Sequence, residues 1–374
     1  MTRSQGQQAP IAEDGPAVDG VAVDGVAVGS FSQIPQISLA AWTEGRDRAF
    51  ARELVRACHE VGFFVLVDHP IDREAMDEYF DMVRAFFELP PEVKAQIDKR
   101  NSPHFRGWEQ VGAELTDNRV DYREQLDLST ENAPYPADAL PAYLRIDGPN
   151  QWLPDEALPG FRATVTQMLA RLEQVADTLM EALAVGLELP ADAFTRAFGE
   201  RRHSLAKLIT YPPTPPGEAG VNSHHDAGFL TLLMQHGVSG LEALSPDGAW
   251  IPVPPRPGAL VVNLGEMLQS MTGNYLVATT HRVIAHEPRL SSAYFHGPDL
   301  RASISPLDLD PRFAAAVAAS PRHAQAGFMA QREELLAGST GTQSAPVAVF
   351  GEMLWNYYRR SYPDNVRLHY PDCT

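Results

Sequence analysis

The sequence predicts an α+β fold: a double-stranded β-helix (jelly-roll) core wrapped by N-terminal and C-terminal helices. Three observations carry this expectation. Helical spacing of apolar residues dominates the chain before about residue 190. Short apolar or β-branched runs separated by turn residues then fill the stretch from Leu205 to Phe295, and helical spacing returns after residue 306. Helices, then a block of strands, then helices favour one α+β unit over alternating βα repeats.

Residues 1–30 are rich in Gly, Ala, Asp and Val, with a short echo from Ala17 to Gly29, and are expected to form a disordered leader. Order is expected from Ile34-Pro-Gln-Ile-Ser-Leu39. The spacing of Phe50, Leu54, Ala57 and Val61 predicts a helix over 46–61, and Gly62 to Asp68 reads as a buried strand. Asp72 is a candidate N-cap for a helix through Phe87, stopped by Pro90 and Pro91. Residues 101–158, rich in Pro, Asn and Asp, read as irregular, and 161–187 gives the longest helical pattern. Strands are expected at 205–211, 229–234, 240–244, 250–253, 259–263, 282–285 and 292–295, with a tight hairpin turn at Pro246-Asp-Gly248. The Ala-rich stretch 306–346 is expected to be partly helical, and 350–362 to form the final amphipathic helix before Pro363.

Composition narrows the function classes. The formal charge of -18 argues against a nucleic-acid partner, because such binding rests on cationic contacts to phosphate. Only two cysteines, Cys58 and Cys373, are present and they are not paired in spacing, so neither a disulfide framework nor a zinc-thiolate site is expected. The N-terminus lacks the apolar core of a signal peptide, and no 18-residue apolar run follows. These features predict a soluble cytoplasmic protein with no membrane partner.

The chemistry is concentrated in His224-His225-Asp226 and Thr280-His281-Arg282-Val283. Side chains on a strand alternate with period two, so His224 and Asp226 are expected on one face and His225 on the other. With His281 they match the two-histidine, one-carboxylate set of non-haem Fe(II) oxygenases, which leaves coordination positions open. Zinc is an alternative occupant. A histidine on an apolar strand is more often a hydrogen-bonded core residue than a ligand, so context matters: an apolar strand follows the pair, and Arg289-Leu-Ser291 follows His281. His286 and His296 are the nearest competitors for the third position, with His203 and His236 further off. Arg289 suits a bidentate carboxylate clamp that lysine cannot reproduce, and Ser291 shares its face. Tyr211 offers another hydroxyl.

Taken together, Ser223-His-His-Asp-Ala-Gly-Phe-Leu-Thr-Leu-Leu233, Asn263-Leu-Gly265-Glu-Met-Leu268, His281-Arg-Val283 and Arg289-Leu-Ser291 resemble the isopenicillin N synthase-like group of Fe(II)/2-oxoglutarate-dependent dioxygenases. Gly62-Phe-Phe-Val-Leu-Val-Asp-His69, Arg106-Gly-Trp108 and Asp121-Tyr-Arg-Glu124 resemble its N-terminal region. Ser292-Ala-Tyr-Phe-His-Gly-Pro298 and the Tyr362-Pro-Asp364 tail look closest to bacterial members, including the ethylene-forming branch. Glu114 and Thr116 match a segment widespread in the group.

The resemblance implies a single catalytic unit over 31–374. Within it, 34–140 is the N-terminal dioxygenase region, 202–305 the jelly-roll Fe(II)/2-oxoglutarate core, and 306–374 a C-terminal helical extension. It implies Fe(II) held by His224, Asp226 and His281, 2-oxoglutarate bound by Arg289, Ser291 and Tyr211, dioxygen as oxidant, and ascorbate as an optional reductant. It implies oxidation of a small-molecule substrate by hydroxylation, desaturation or cyclisation, with release of succinate and CO2, by a monomer or weak homodimer. Many plant members carry Asn where this chain has Ile209, so the polar wall near the cosubstrate is built differently here, with Lys207 a nearby candidate. The substrate pocket is expected to draw on 101–130, Phe229, Phe295 and the C-terminal helix. Two alternatives stand beside this reading. One is an iron oxidase that dispenses with 2-oxoglutarate, in which Arg289 and Ser291 bind the substrate's carboxylate. The other is a barrel that binds metal or ligand without redox chemistry.

Overall fold

A computed structural model of the chain describes residues 30–116, 119–324 and 348–373. The expected leader over 1–30 lies almost wholly outside the described residues, as does most of the Ala-rich stretch beyond 324.

The strands in chain order are β1 (Gln36–Ser38), β2 (Phe63–Val67), β3 (Gly107–Glu109), β4 (Leu115–Thr116), β5 (Arg119–Val120), β6 (Glu124–Ser129), β7 (Leu205–Tyr211), β8 (Val221–His224), β9 (Leu230–His236), β10 (Leu241–Leu244), β11 (Trp250–Pro252), β12 (Leu260–Leu264), β13 (His281–Val283) and β14 (Arg289–His296), followed by the short pair β15 (Ser303–Ile304) and β16 (Ala348–Val349). An eight-stranded sheet has the order β1-β2-β12-β9-β14-β7-β6-β3, and a four-stranded sheet the order β11-β10-β13-β8. The two face each other: Ile209, Tyr211 and Val261 of the large sheet share an apolar cluster with Val221, Leu241, Ala243 and Val283 of the small one.

Period two explains why the large-sheet strands read as continuous apolar runs. Ala206, Leu208, Leu232, Met234, Leu260 and Val262 point outward into a cluster with Leu172, Val175 and Leu179 of the 26-residue Phe161–Gly186 helix and Phe50 and Leu54 of the Arg48–Glu60 helix. The intervening residues point inward, so both faces are buried. Cys58 belongs to this packing and is fully buried, which pushes its thiol pKa up.

Three expectations need correction. Residues 101–158 are not simply irregular: β3 and β6 complete the large sheet, which draws four of its strands from before residue 130. Their alternation was hidden because their inward residues, among them Glu109, Gln125 and Asp127, are polar or charged, not apolar. Asp72 occupies the N-cap position, yet its side chain makes no capping hydrogen bond. The Phe350–Ser361 helix is not the last, because Pro363 opens a further helix to His369, a position where proline's missing N–H is no loss. The Asp247-Gly248 turn forms as expected between β10 and β11, with Gly248 at φ +88°.

Candidate active site

Strand pairing closes the gap between the two histidine motifs. β13 lies antiparallel to β8 with His281 directly opposite His224, and the imidazole centroids are 4.3 Å apart. Asp226 falls just past the end of β8 and not on the strand, yet its carboxylate still turns inward to them. The ligand atoms of His224, Asp226 and His281 all lie within 4.8 Å of one another. His224 Nε2 is 3.6 Å and His281 Nε2 3.9 Å from Asp226 Oδ1, too far for hydrogen bonds.

Each imidazole is fixed by its other nitrogen. His224 Nδ1 lies 2.8 Å from the Asn222 carbonyl oxygen and His281 Nδ1 3.1 Å from that of Thr279. A carbonyl only accepts, so Nδ1 carries the proton in both rings and the Nε2 lone pairs turn to the shared centre. Burial, then the neighbouring His224, holds the His281 pKa down to about 4. Burial opposes ionisation of Asp226, but His281, His224 and the Thr231 hydroxyl outweigh it and carry its pKa well below the carboxylate range. Burial likewise opposes a charge on His224, and Asp226 outweighs it, raising that imidazole. A divalent cation and a proton therefore compete for the same three atoms.

His225 faces away, as expected. Its Nε2 lies 2.8 Å from Thr280 Oγ1, which ties the first motif to the residue before His281. Of the competitors, His286 is exposed, His296 is buried against Asp177 at 3.2 Å, His203 faces Asp147, and His236 lies 3.0 Å from Arg84.

Arg289, Ser291 and Tyr211 meet on the inner face of β14 and β7, where Arg289 pairs with Tyr211 across the strands. The Arg289 guanidinium is 1% exposed; it donates to Ser291 Oγ at 3.0 Å and Gln235 Oε1 at 2.9 Å, and lies 4.9 Å from the Tyr211 ring centre. The Ser291 and Tyr211 hydroxyls are 3.5 Å apart. Among the described residues no carboxylate pairs with Arg289, its Nε has no partner, and burial lowers its pKa. Gln235 was missed by sequence reasoning; its signal was its inward register on β9, directly opposite Ser291.

Lys207 is not available to the cosubstrate: its ammonium is held 3.0 Å from Glu114 and 2.9 Å from Asp127. Phe229 is buried edge-on against Phe198.

The comparisons with known proteins agree with this geometry. Residues 34–155 match the non-haem dioxygenase N-terminal model and 202–298 the 2OG-Fe(II) oxygenase superfamily model. The chain is 32% identical over 301 residues to a 2-oxoglutarate-dependent dioxygenase of Gibberella zeae, covering 75% of this chain and 79% of that one. It is 34% identical over 291 residues to another from Dothideomycetidae, covering 75% and 78%. The crystal structure of a 2OG-Fe(II) oxygenase family protein from Caulobacter crescentus superposes with a TM-score of 0.68 at 27% identity, covering 88% of this chain and 99% of that one. The 2-oxoglutarate complex of the Arabidopsis thaliana dioxygenase for auxin oxidation superposes with a TM-score of 0.58 at 26% identity, covering 75% and 97%. Family members of this kind are built on a jelly-roll core, which is what the two facing sheets form. The chain belongs to the 2OG-Fe(II) oxygenase superfamily and is a 2-oxoglutarate-dependent dioxygenase that uses Fe(II).

Proposed function

We propose that His224, Asp226 and His281 hold the iron and that Arg289, Ser291 and Tyr211 receive the far carboxylate of 2-oxoglutarate. The observation that carries the cosubstrate assignment is the buried Arg289 guanidinium, whose hydrogen-bonded partners are neutral. A buried cation without a counter-charge is strongly disfavoured, so this position fits an anion from outside, and its fork suits a carboxylate. The donor set fits iron equally well: two imidazoles and one carboxylate, with no thiolate.

Bound Fe(II) supplies the oxygen-activating redox chemistry. The chain's own residues do the rest: Nδ1 hydrogen bonds orient both imidazoles, Arg289 and Ser291 position the keto acid, and the apolar wall of Phe63, Ile209 and Val261 excludes water. Phe63 packs edge-on against the His281 ring at 5.3 Å.

The reading extends to a small-molecule substrate oxidised by hydroxylation, desaturation or cyclisation. We place this unit, residues 31–374, in the cytoplasm as a monomer or weak homodimer; its charge of -18 speaks against nucleic acid. Among the described residues no helix is long and apolar enough to cross a membrane. The bacterial and ethylene-forming likeness rests on residues 292–298 and 362–364 alone, and headspace gas analysis during turnover tests it. The test of the whole reading is Fe(II)-dependent conversion of 2-oxoglutarate to succinate in air. Wild-type protein forms succinate and Arg289→Gln needs far more 2-oxoglutarate to do so; succinate formation that is indifferent to Arg289 overturns the assignment.

A further inference from the structure

We infer that Thr231 and Asn263 are positioning residues that restrict Asp226 to a single metal-facing oxygen. The inference rests on the iron site proposed above and gives a role to the Asn263-Leu-Gly265 motif, which the ligand set alone leaves unexplained.

The two oxygens of Asp226 have different surroundings. Oδ1 faces His224 Nε2 and His281 Nε2. Oδ2 accepts from Thr231 Oγ1 at 2.5 Å and from Asn263 Nδ2 at 2.6 Å. A carboxylate offers no proton, so the Asn263 amide presents its nitrogen and the Thr231 hydroxyl donates. Thr231 and Asn263 are cross-strand partners on β9 and β12, so register places both donors side by side on the inner face of the large sheet. All three residues are buried. The carboxylate thus bridges the two sheets, with one oxygen held by the large sheet and the other turned to the histidines on the small one.

The backbone reinforces this hold. Gly265 N donates to Phe229 O at 2.8 Å, Glu266 N to Asp226 O at 2.8 Å, and Met267 N to Gly228 O at 3.1 Å. The segment after Asn263 is therefore zipped onto the loop that carries Asp226. Gly265 is needed for this approach, because a Cβ there would collide with the Gly228 carbonyl oxygen.

The consequence is chemical. A carboxylate free to turn can chelate a metal through both oxygens and fill an extra position. With Oδ2 committed to two charge-assisted hydrogen bonds, only Oδ1 is offered, and the position otherwise taken stays available to the keto acid or dioxygen.

The experiment compares Thr231→Val, Thr231→Ser and Asn263→Leu with wild type. Folding is checked by thermal melting, Fe(II) affinity by anaerobic titration of metal-free protein, and 2-oxoglutarate affinity by titration of the metal-loaded protein. We expect Thr231→Val and Asn263→Leu to weaken both affinities by about 10-fold or more, and Thr231→Ser, which keeps the hydroxyl, to stay within about threefold of wild type. Should Asn263→Leu not fold, the near-isosteric Thr231 pair decides alone. Weakened metal binding with unchanged 2-oxoglutarate affinity overturns the single-oxygen assignment, and so does wild-type behaviour in Thr231→Val. Failure of the wild-type protein to bind Fe(II) overturns the proposed iron site instead, so the two failures are distinguishable.

Discussion

Two polar regions share the interior of this barrel, and they are built on opposite plans. The end proposed for iron and cosubstrate leaves its groups open: two Nε2 atoms and Oδ1 of Asp226 face one another beyond hydrogen-bond distance, and Arg289 has no carboxylate among the described residues. The second region, where β3, β6 and β7 meet the C-terminal helices, pairs its charges with one another, although Arg123 Nε, Gln125 Oε1 and Asp127 Oδ1 keep no hydrogen-bond partner among the described residues. Lys99 donates to Glu109, to Asp127 at 2.6 Å and to Tyr362 at 2.8 Å. Glu114 accepts from Arg123 at 2.8 Å, Gln125 at 2.6 Å, Lys207 at 3.0 Å and Tyr357 at 2.7 Å. The first region keeps capacity for ligands that arrive later. The second spends its charge on joining the N-terminal strands to the C-terminal segment. Density of buried charge therefore does not mark the proposed site here; a buried cation with only neutral partners does.

Substitutions separate the two ends. His281→Ala has the largest expected effect at the open end: stoichiometric Fe(II) binding is lost while the melting transition persists, as read by metal analysis and calorimetry. Retained one-to-one iron would break the comparison. Lys99→Met at the closed end should do the reverse. Removing one partner from a buried ion pair destabilises by about 3–5 kcal/mol, so denaturant unfolding shifts strongly while the folded fraction still binds Fe(II). Arg289→Gln comes next. Losing charge-assisted bonds to a carboxylate should raise the KM for 2-oxoglutarate roughly 100-fold, with little change in unfolding midpoint.

The smallest effect is expected from mild acid, and it belongs to neither end. Burial holds His323 and His104 down to about 4. His323 stacks on His59, with ring centroids 4.2 Å apart, and anchors the segment before residue 325. The unfolded chain takes up these protons near pH 6.5 and the folded chain only near pH 4, so stability is lost as pH falls between those values. Thermal melts from about pH 7 to about pH 4.5 should show Tm declining by several degrees once the pH drops below the ordinary histidine range. His323→Gln should flatten part of that slope.

The contrast also explains what could be read from the sequence. The open end was legible because its residues are close in the chain or lie in regular strands. Arg289 and Ser291 are two apart on β14, so period two predicts that they converge; His224 and Asp226 are two apart as well, although Asp226 lies past the end of β8 and converges by the turn of the loop. The apolar runs at 205–211 and 259–263 marked their strands because both faces are buried. The closed end was not legible. Glu109, Gln125 and Asp127 lie inward on β3 and β6, where apolar residues are the usual signal, so pattern reading took the segment as irregular. Lys207 is a candidate for the wall near the cosubstrate in the sequence because nothing local shows that Glu114, 93 positions earlier, neutralises it. Thr231 and Asn263 were in view as motif residues, but their joint grip on Asp226 needed the β9–β12 register.

The central claim is that the open end takes Fe(II) and a keto acid together. Anaerobic titration of the Fe(II)-loaded protein with 2-oxoglutarate tests it most directly, read by visible absorbance. The account predicts a weak charge-transfer band that saturates at one equivalent per iron and shifts to much higher 2-oxoglutarate concentration in Arg289→Gln. A protein that binds Fe(II) tightly yet develops no band at any 2-oxoglutarate concentration would contradict it.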